Sequence, residues 1–446
     1  MRFSELEGAS IGVWGAGREI ASFADQLERH LPAARIAVAA FDEPPPGEVL
    51  ERLRSPGARV VLGADAGAAL AECEVVVRSP GVSVHRPELS RLRAAGVPVT
   101  TATALWLAER GGAGVIGVTG TKGKSTTAAL VRHLAAGAGC DMALAGNIGV
   151  PALDLLDGDP ARAAVVELSS YQIADLEVGP QVAVFTNLFR EHIDWHGSEA
   201  LYREEKLRLL ELPGVQACVL NARDPSLAAL RPRAVVRRYG AADGWDLLDG
   251  GLALRGELLI PATELPLPGE HNALNLCAAL TALEAFGIAP EVPAGLVGFQ
   301  ALPHRLQSVC ERDGALWVND SISTTPESAL AALASFPERE IVLIAGGQDR
   351  GQDFVELARA LAGRGAALVS VPSTGPRLRE AATREGVPGA RAVAAADMAG
   401  AVAAAAELAR PGAVVLLSPA APSYDRYRDF EARGELFSSL ARALRE

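Results

Sequence analysis

The densest chemistry in the chain lies in Gly120-Thr-Lys-Gly-Lys-Ser-Thr126, after the apolar run beginning at Val115 and before a helical pattern over 128–136. Glycines let backbone N–H groups turn inward around phosphate oxygens. Lys124 would place a point charge on the β/γ phosphates, and the Ser125 hydroxyl suits Mg²⁺. The following helix aims its positive end at the same anion. The general phosphate-loop pattern has a glycine five residues before the Gly of Gly-Lys; here Val118 stands there, with glycines at 117 and 120, so the loop is a shortened variant. A glycine-rich turn with an incidental lysine is the plainer reading, and the strand–turn–helix context argues against it.

Four further residues belong to the same argument. Glu167 closes an apolar run in Val-Val-Glu-Leu-Ser-Ser-Tyr-Gln172, and a carboxylate at a strand end beside a phosphate loop can hold Mg²⁺. His192 and Asp194 follow the next apolar run, where ligands gather in α/β proteins. Lys206 sits in a helical pattern, Tyr-Arg-Glu-Glu-Lys-Leu-Arg. Each also has an ordinary reading: an exposed strand-end glutamate, surface loop residues, a solvated helix face.

The elements that must position these groups alternate strand and helix. Ile11-Gly-Val-Trp-Gly-Ala-Gly17 runs from a strand into a Gly-rich turn, and a helical pattern follows over 19–30. Its glycines fall as G-x-x-G-x-G, which alone fits a tight turn as well as a nucleotide site. Further strands are predicted at 35–41, ending before Asp42, at 59–62 and at 75–77, before Ser79-Pro80-Gly81. The middle of the chain adds strands at 163–167 and 182–186, a polar excursion near 243–258 and a helix opening at Gly269-Glu-His-Asn-Ala-Leu-Asn275. The last third has strands near 316–319, 341–345, 367–371 and 413–418. Such alternation means parallel sheets with ligand crevices at strand C-termini. The expected fold is α/β in three domains, 1–108, 109–300 and 301–446. The first and last would be Rossmann-like, and the central one a P-loop ATPase-like, mostly parallel sheet.

Composition sets outer limits. The chain has 446 residues, 49% hydrophobic and 22% charged, and a net charge of −12. An acidic balance is a poor starting point for nucleic-acid or anionic-membrane binding. Five cysteines, with no C-x-x-C pair, argue for a reducing compartment and against structural zinc. The start, MRFSELEGAS, has no basic region leading into an apolar run, and no apolar stretch reaches the roughly 18 residues of a membrane span. A cytoplasmic protein without membrane insertion is expected.

Taken in order, the motifs resemble the Mur ligases, the ATP-dependent amino-acid-adding enzymes of peptidoglycan synthesis. The similarity covers nearly the whole chain. It rests on Gly-Thr-x-Gly-Lys-Ser-Thr, Glu-Leu-Ser-Ser-Tyr-Gln, Asn-x-x-x-x-His-x-Asp, Glu-His-Asn-x-x-Asn, His-Arg, Asn-Asp-Ser and Leu-Ser-Pro-Ala. The Ser79-Pro-Gly81 turn and the tail Ser418-Pro-Ala-Ala-Pro-Ser-Tyr-Asp-Arg-Tyr-Arg-Asp-Phe430 look most like the branch that joins glutamate to UDP-N-acetylmuramoyl-L-alanine. The Asp-Asn-Pro-Arg of the diaminopimelate- and lysine-adding branch is absent, and folylpolyglutamate synthetases usually carry a different loop.

The resemblance implies roles. The first domain would hold the UDP part at Gly15, Ala16, Gly17, Arg18, Asp42, Ser79, Pro80 and Gly81, with Asn147 and Ser169 on the acyl end. ATP would meet Gly120, Thr121, Lys122, Gly123, Lys124, Ser125 and Thr126, together with Asn272, Asn275, Arg305 and Asp320. Two Mg²⁺ sites are implied, with Ser125, Glu167 and His192 as ligands. Lys124, Glu167, His192 and Lys206 would form the catalytic set, Lys206 as a carbamate whose negative charge suits Mg²⁺ where an ammonium would repel it. Thr324, Arg350, Ser423 and Phe430 would position glutamate. The implied reaction passes through an acyl phosphate, with domain closure excluding water. A monomer with only small-molecule partners is expected.

Three positions depart from the pattern. Lys122 replaces a common asparagine, Ile322 a lysine in the usual Asp-Ser-Lys-x-Thr, and Arg350 a lysine on the glutamate side-chain carboxylate. Arginine keeps the charge but presents a planar fork. A re-cut carboxylate site is where stereochemical preference can change. These replacements look similar to a subgroup that adds L-glutamate and leaves inversion to a separate epimerase. Ligation of D-glutamate is the alternative. A non-catalytic nucleotide-binding protein on the same fold is a third reading, opposed by the intact Lys124, Ser125, Glu167, His192 and Lys206.

Overall fold

A computed structural model describes residues 1–45, 47–53, 57–189, 193–300 and 302–444, without the side chains of Glu48, Ile193 and Asp194. The chain forms two compact units. One comprises 1–265 with 271–297, and the other 266–270 with 298–446. The expected cut near 300 falls close to the start of the second unit at Gly298. The expected cut at 108 falls inside the helix Ala102–Arg110, within the first unit.

The first unit contains two parallel sheets. The N-terminal sheet orders its strands Arg59–Leu62, Arg35–Phe41, Ser10–Trp14, Val75–Arg78, Val99–Thr100, all parallel. Strand order reverses between Ser10–Trp14 and Val75–Arg78, so a crevice opens where the loops leaving these two strands part. The central sheet runs Val235–Tyr239, Ala217–Asn221, Val182–Phe185, Val115–Thr119, Ala164–Glu167, Ala143–Gly146, again all parallel. Every residue of Val115–Thr119, Ala164–Glu167 and Val182–Phe185 is buried. Helices cover both faces of such a sheet, so its inner strands read as unbroken apolar runs. That is why the sequence shows these three strands clearly. The edge strand Val235–Tyr239 keeps two arginines and alternates in exposure, and the sequence reading passed over it.

The excursion near 243–258 is a small antiparallel sheet, Trp245–Leu248, Gly251–Leu254 and Glu257–Ile260. The helix Glu270–Phe286 then returns to the core of the first unit, with residues from Asn272 to Leu283 buried around most of its circumference.

The second unit is one six-stranded sheet ordered Gln307–Arg312, Ala315–Asn319, Val414–Leu417, Ile341–Ala345, Ala367–Ser370, Ala392–Ala394. Only its first pair is antiparallel. Apolar clusters pack on both faces, one around Leu343, Leu357 and Leu416, the other around Trp317, Ile344 and Phe437. The three adjacent strands Ala315–Asn319, Val414–Leu417 and Ile341–Ala345 send their C-terminal loops out at one edge.

Candidate active site

The loop after Val115–Thr119 is a cradle braced from one side. Gly120 has φ +140° and Gly123 φ +85°, and a Cβ on either would stand 1.9 Å from Thr186 Oγ1 or 2.3 Å from Asn275 Oδ1. Only glycine fits both the backbone conformation and the space. Thr186 Oγ1 donates to the Lys122 carbonyl at 2.6 Å, and Asn187 Oδ1 accepts from the Lys122 N–H at 2.8 Å. The helix Lys124–Gly137 starts at once, so its positive end and the Lys124 ammonium belong to the same anion site. Lys124 Nζ donates to the Thr121 carbonyl at 2.9 Å. Asn275, expected from sequence, supports the loop from behind and accepts from Thr127 Oγ1 at 3.4 Å; Asn272 Oδ1 accepts from Asn275 Nδ2 at the same distance.

Glu167 meets this loop. Its carboxylate is buried, accepting from Ser125 Oγ at 2.5 Å and from Asn147 Nδ2 at 3.2 Å. Lys206 is buried on the helix Glu199–Leu207, not solvated. Its Nζ donates to the Gly120 carbonyl at 2.8 Å and lies 5.0 Å from the centre of the Tyr202 ring. Tyr202 OH shares a 2.8 Å hydrogen bond with Thr121 Oγ1. His192 lies outside the described residues.

The N-terminal loops face this constellation. Gly15 and Gly17 allow Ser79 to approach so closely that a Cβ on either would stand 2.7 Å from a Ser79 atom. Gly17, Arg18 and Ser79–Gly81 line a cavity of about 330 Å³ together with Lys124, Asn147, Ser169 and Lys206. Arg18 itself donates to the carbonyls of Gly146, Asn147 and Gly149 at 2.9–3.1 Å, so it ties the two sheets' loops together. Asp42 is not on the cavity wall. It is exposed and paired with Arg86 at 2.6 Å, and that guanidinium lies 4.6 Å from the centre of the Trp14 ring.

Sequence reasoning passed over several residues of this wall. Gln172 Oε1 accepts from Ser169 N at 2.8 Å and Ser169 Oγ at 2.9 Å, while its Nε2 donates to Glu19 at 2.6 Å. Thr103 Oγ1 also donates to Glu19, and burial raises the Glu19 carboxyl above the usual range. The Ser-x-x-Gln spacing of a capping box was the available signal for Gln172. Nothing local marked Glu19. Beside them Tyr171 stacks on Trp195 at 4.5 Å, and buried His196 contacts Ser170 Oγ at 2.9 Å and Glu205 at 2.5 Å. His85 reaches the same Glu205 at 2.8 Å.

In the second unit the expected residues gather at the edge of the three adjacent strands. Asp320 is buried and fully engaged, accepting from Ser323 Oγ at 2.5 Å, Ser418 Oγ at 2.9 Å and Leu306 N at 3.2 Å. Burial pushes its carboxyl up to about 6 despite these donors. Arg305 and Thr324 are half-buried. Arg350 is exposed, its guanidinium 6.0 Å from the centre of the Tyr424 ring. Ser423 is buried, and Phe430 opens the last helix edge-on to His304 at 6.0 Å.

Fold and site together define a phosphate-loop α/β protein whose anion cradle opens into a cavity shared with a second parallel sheet. Residues 118–283 match the Mur ligase middle domain, and residues 304–421 the Mur ligase glutamate ligase domain. A UDP-N-acetylmuramoyl-L-alanine–L-glutamate ligase of Micromonospora sp. is 43% identical, over 99% of this chain and 98% of the relative. The enzymes of that name from Xanthomonas euvesicatoria pv. vesicatoria and Salinispora tropica are 42% and 41% identical, over 99% of this chain and 97% and 99% of theirs. Among solved structures, the UDP-N-acetylmuramate–alanine ligase of Thermotoga maritima shares the fold at TM-score 0.61 and 18% identity, covering 98% of this chain and 99% of that one. The chain belongs to the Mur ligase family. No helix among the described residues is long and apolar enough to cross a membrane.

Proposed function

We propose that this chain joins glutamate, preferably the L form, to UDP-N-acetylmuramoyl-L-alanine at the expense of ATP, as a cytoplasmic monomer in peptidoglycan precursor synthesis. The observation that carries the reading is that one cavity is lined by Ser79–Gly81, Asn147, Lys124 and Lys206 together. It lets a nucleotide-sugar held by the N-terminal loops present its carboxylate to a phosphate loop. The full-length likeness to L-glutamate-adding enzymes supports the choice of amino acid. Residues 1–108 then serve the UDP part, 109–300 ATP, and 301–446 glutamate.

The alanine carboxylate attacks the γ-phosphorus of ATP, giving an acyl phosphate and ADP. A free carboxylate is a poor acyl donor, so this activation is required. The glutamate amine then adds to the acyl carbon, loses its proton and expels phosphate. Lys124 and the amides of 120–126 stabilise charge on the transferring group. Asn147 and Ser169 orient the acyl end, with Gln172 and Glu19 fixing Ser169. Asn272 and Asn275 support the ATP side, and Arg305 and Asp320 are further nucleotide residues in this reading. Thr324, Arg350, Ser423 and Phe430 hold the amino acid.

The donors fit Mg²⁺. Glu167 is buried with a hydroxyl and an amide as its partners, and no cationic side chain among the described residues lies within ion-pair distance of it. Ser125, Glu167 and His192 would hold the ion, which neutralises phosphate charge when bound. Lys206 as a carbamate would turn one of the two lysines on this wall into an anion.

Phosphate release with ATP, Mg²⁺ and UDP-N-acetylmuramoyl-L-alanine tests the reading, comparing L- and D-glutamate. Turnover with the L form is expected. Turnover with the D form alone removes the stereochemical part. No release with either form favours the non-catalytic nucleotide-binding reading.

A further inference from the structure

Behind the amino-acid loops of the second unit stands a buried arginine without a carboxylate partner. Arg433 lies in the first turns of the helix Phe430–Ala443 and is 1% exposed. Its Nε donates to Ser321 Oγ at 3.0 Å, Nη2 to the Ser321 carbonyl at 2.8 Å, and Nη1 to the Ala421 carbonyl at 3.0 Å. Ser321 Oγ in turn donates to the Phe430 carbonyl at 2.8 Å. The third loop joins at Gly347, where a Cβ would stand 3.1 Å from Nη1 and 2.3 Å from the Pro422 carbonyl. That carbonyl accepts from Gln348 N at 2.8 Å. One guanidinium thus braces the loops after Ala315–Asn319, Ile341–Ala345 and Val414–Leu417. Those loops carry Thr324, Arg350 and Ser423, and Phe430 opens the same helix.

Among the described residues no carboxylate lies within ion-pair distance of Arg433. All three of its acceptors are neutral, and Asp429, one turn earlier in the chain, pairs with Arg428 instead. Burial pulls the guanidinium down to about 10, with Tyr427 and Asp425 opposing the fall. It remains a cation at neutral pH. Of its five N–H groups, three are used in these bonds. A buried cation without a counter-ion is unfavourable, and an anionic ligand relieves it.

We propose that Arg433 is a positioning residue for the amino-acid substrate. It fixes the three loops against one another, and a buried guanidinium with only neutral acceptors favours a ligand that brings carboxylates. This rests on the reading of this edge as the glutamate site. Arg433 touches no reacting atom.

The test is the KM for each of the three substrates in Arg433→Met and Arg433→Lys, with melting curves to confirm folding. KM for glutamate should rise about tenfold or more in Arg433→Met, because the loops proposed to hold the amino acid lose the network that couples them. KM for the UDP-sugar should stay within about twofold, since none of the residues proposed to hold it lies in the braced loops. Arg433→Lys keeps the charge and loses the fork, so it should fall between wild type and Arg433→Met. A purely structural role would raise all three KM values together and would overturn the proposal. So would an unchanged glutamate KM in either folded variant. If Arg433→Met does not fold, Arg433→Lys decides by the same split. Absence of wild-type turnover would instead overturn the ligase reading, and this inference with it.

Discussion

At the C-terminal edge of the central sheet, one run of seven residues, Gly120–Thr126, supplies backbone, cation and hydroxyl for an anion site, with Glu167 beside it. At the edge of the last sheet the comparable work is spread over three loops and a helix, held by Arg433 about a hundred residues from Ser321. The first site is a local backbone shape that needs only glycines and a helix start. The second exists only when distant loops are in register. The first should therefore fail chemically when one side chain is removed. The second should respond in stability and amino-acid affinity.

Four experiments can break or sharpen that contrast. Lys124→Met should lower ATP-dependent phosphate release by about 10²–10³-fold, as loss of one charge-stabilising donor does, with an unchanged melting temperature. A large loss of stability instead would mean the lysine holds the loop together. Asp320 should show the opposite behaviour. Its carboxyl, raised by burial to about 6 from the usual aspartate range, binds its proton more tightly folded than unfolded. Stability is then present in full below about 4 and declines as pH rises through 6, by about 3 kcal/mol. Asp320→Asn should flatten this slope in urea unfolding followed from pH 4 to 7, and a slope that persists would assign it elsewhere.

Glu167→Gln comes next. If its carboxylate holds Mg²⁺, half-maximal activity should need about tenfold more Mg²⁺. An unchanged Mg²⁺ curve would remove Glu167 from the ligand set. The smallest effect concerns Asp42 and Arg86, an exposed pair. Arg86→Ala should change stability by less than about 1 kcal/mol. Asp42→Ala should raise KM for the UDP-sugar if Asp42 serves the nucleotide, and matching KM values for the two variants would return Asp42 to a surface role.

Much of the architecture was legible because the inner strands are apolar on both faces. Val115–Thr119, Ile341–Ala345 and Val414–Leu417 announce themselves by composition. Strands with a solvated face, such as Val235–Tyr239 and Gln307–Arg312, carry arginine and glutamate and were passed over. Lys206 could be taken for a solvated helix residue from its neighbours, yet it is buried beneath the phosphate loop. Arg18 looked like a ligand contact and is engaged by three carbonyls of 146–149.

By itself the sequence determined what is local: the strand–glycine–lysine–helix order, the apolar strands, and the presence of Glu167 and Lys206 downstream. Local backbone preference and solvent avoidance act over a few residues, so short windows record them. Only the tertiary structure decided which distant groups share a cavity, why Gly123 must leave room for Asn275, and that Arg433 has no ion-pair partner among the described residues. Those facts depend on strand order and on burial, which sets the cost of a charge, and no window of sequence contains either.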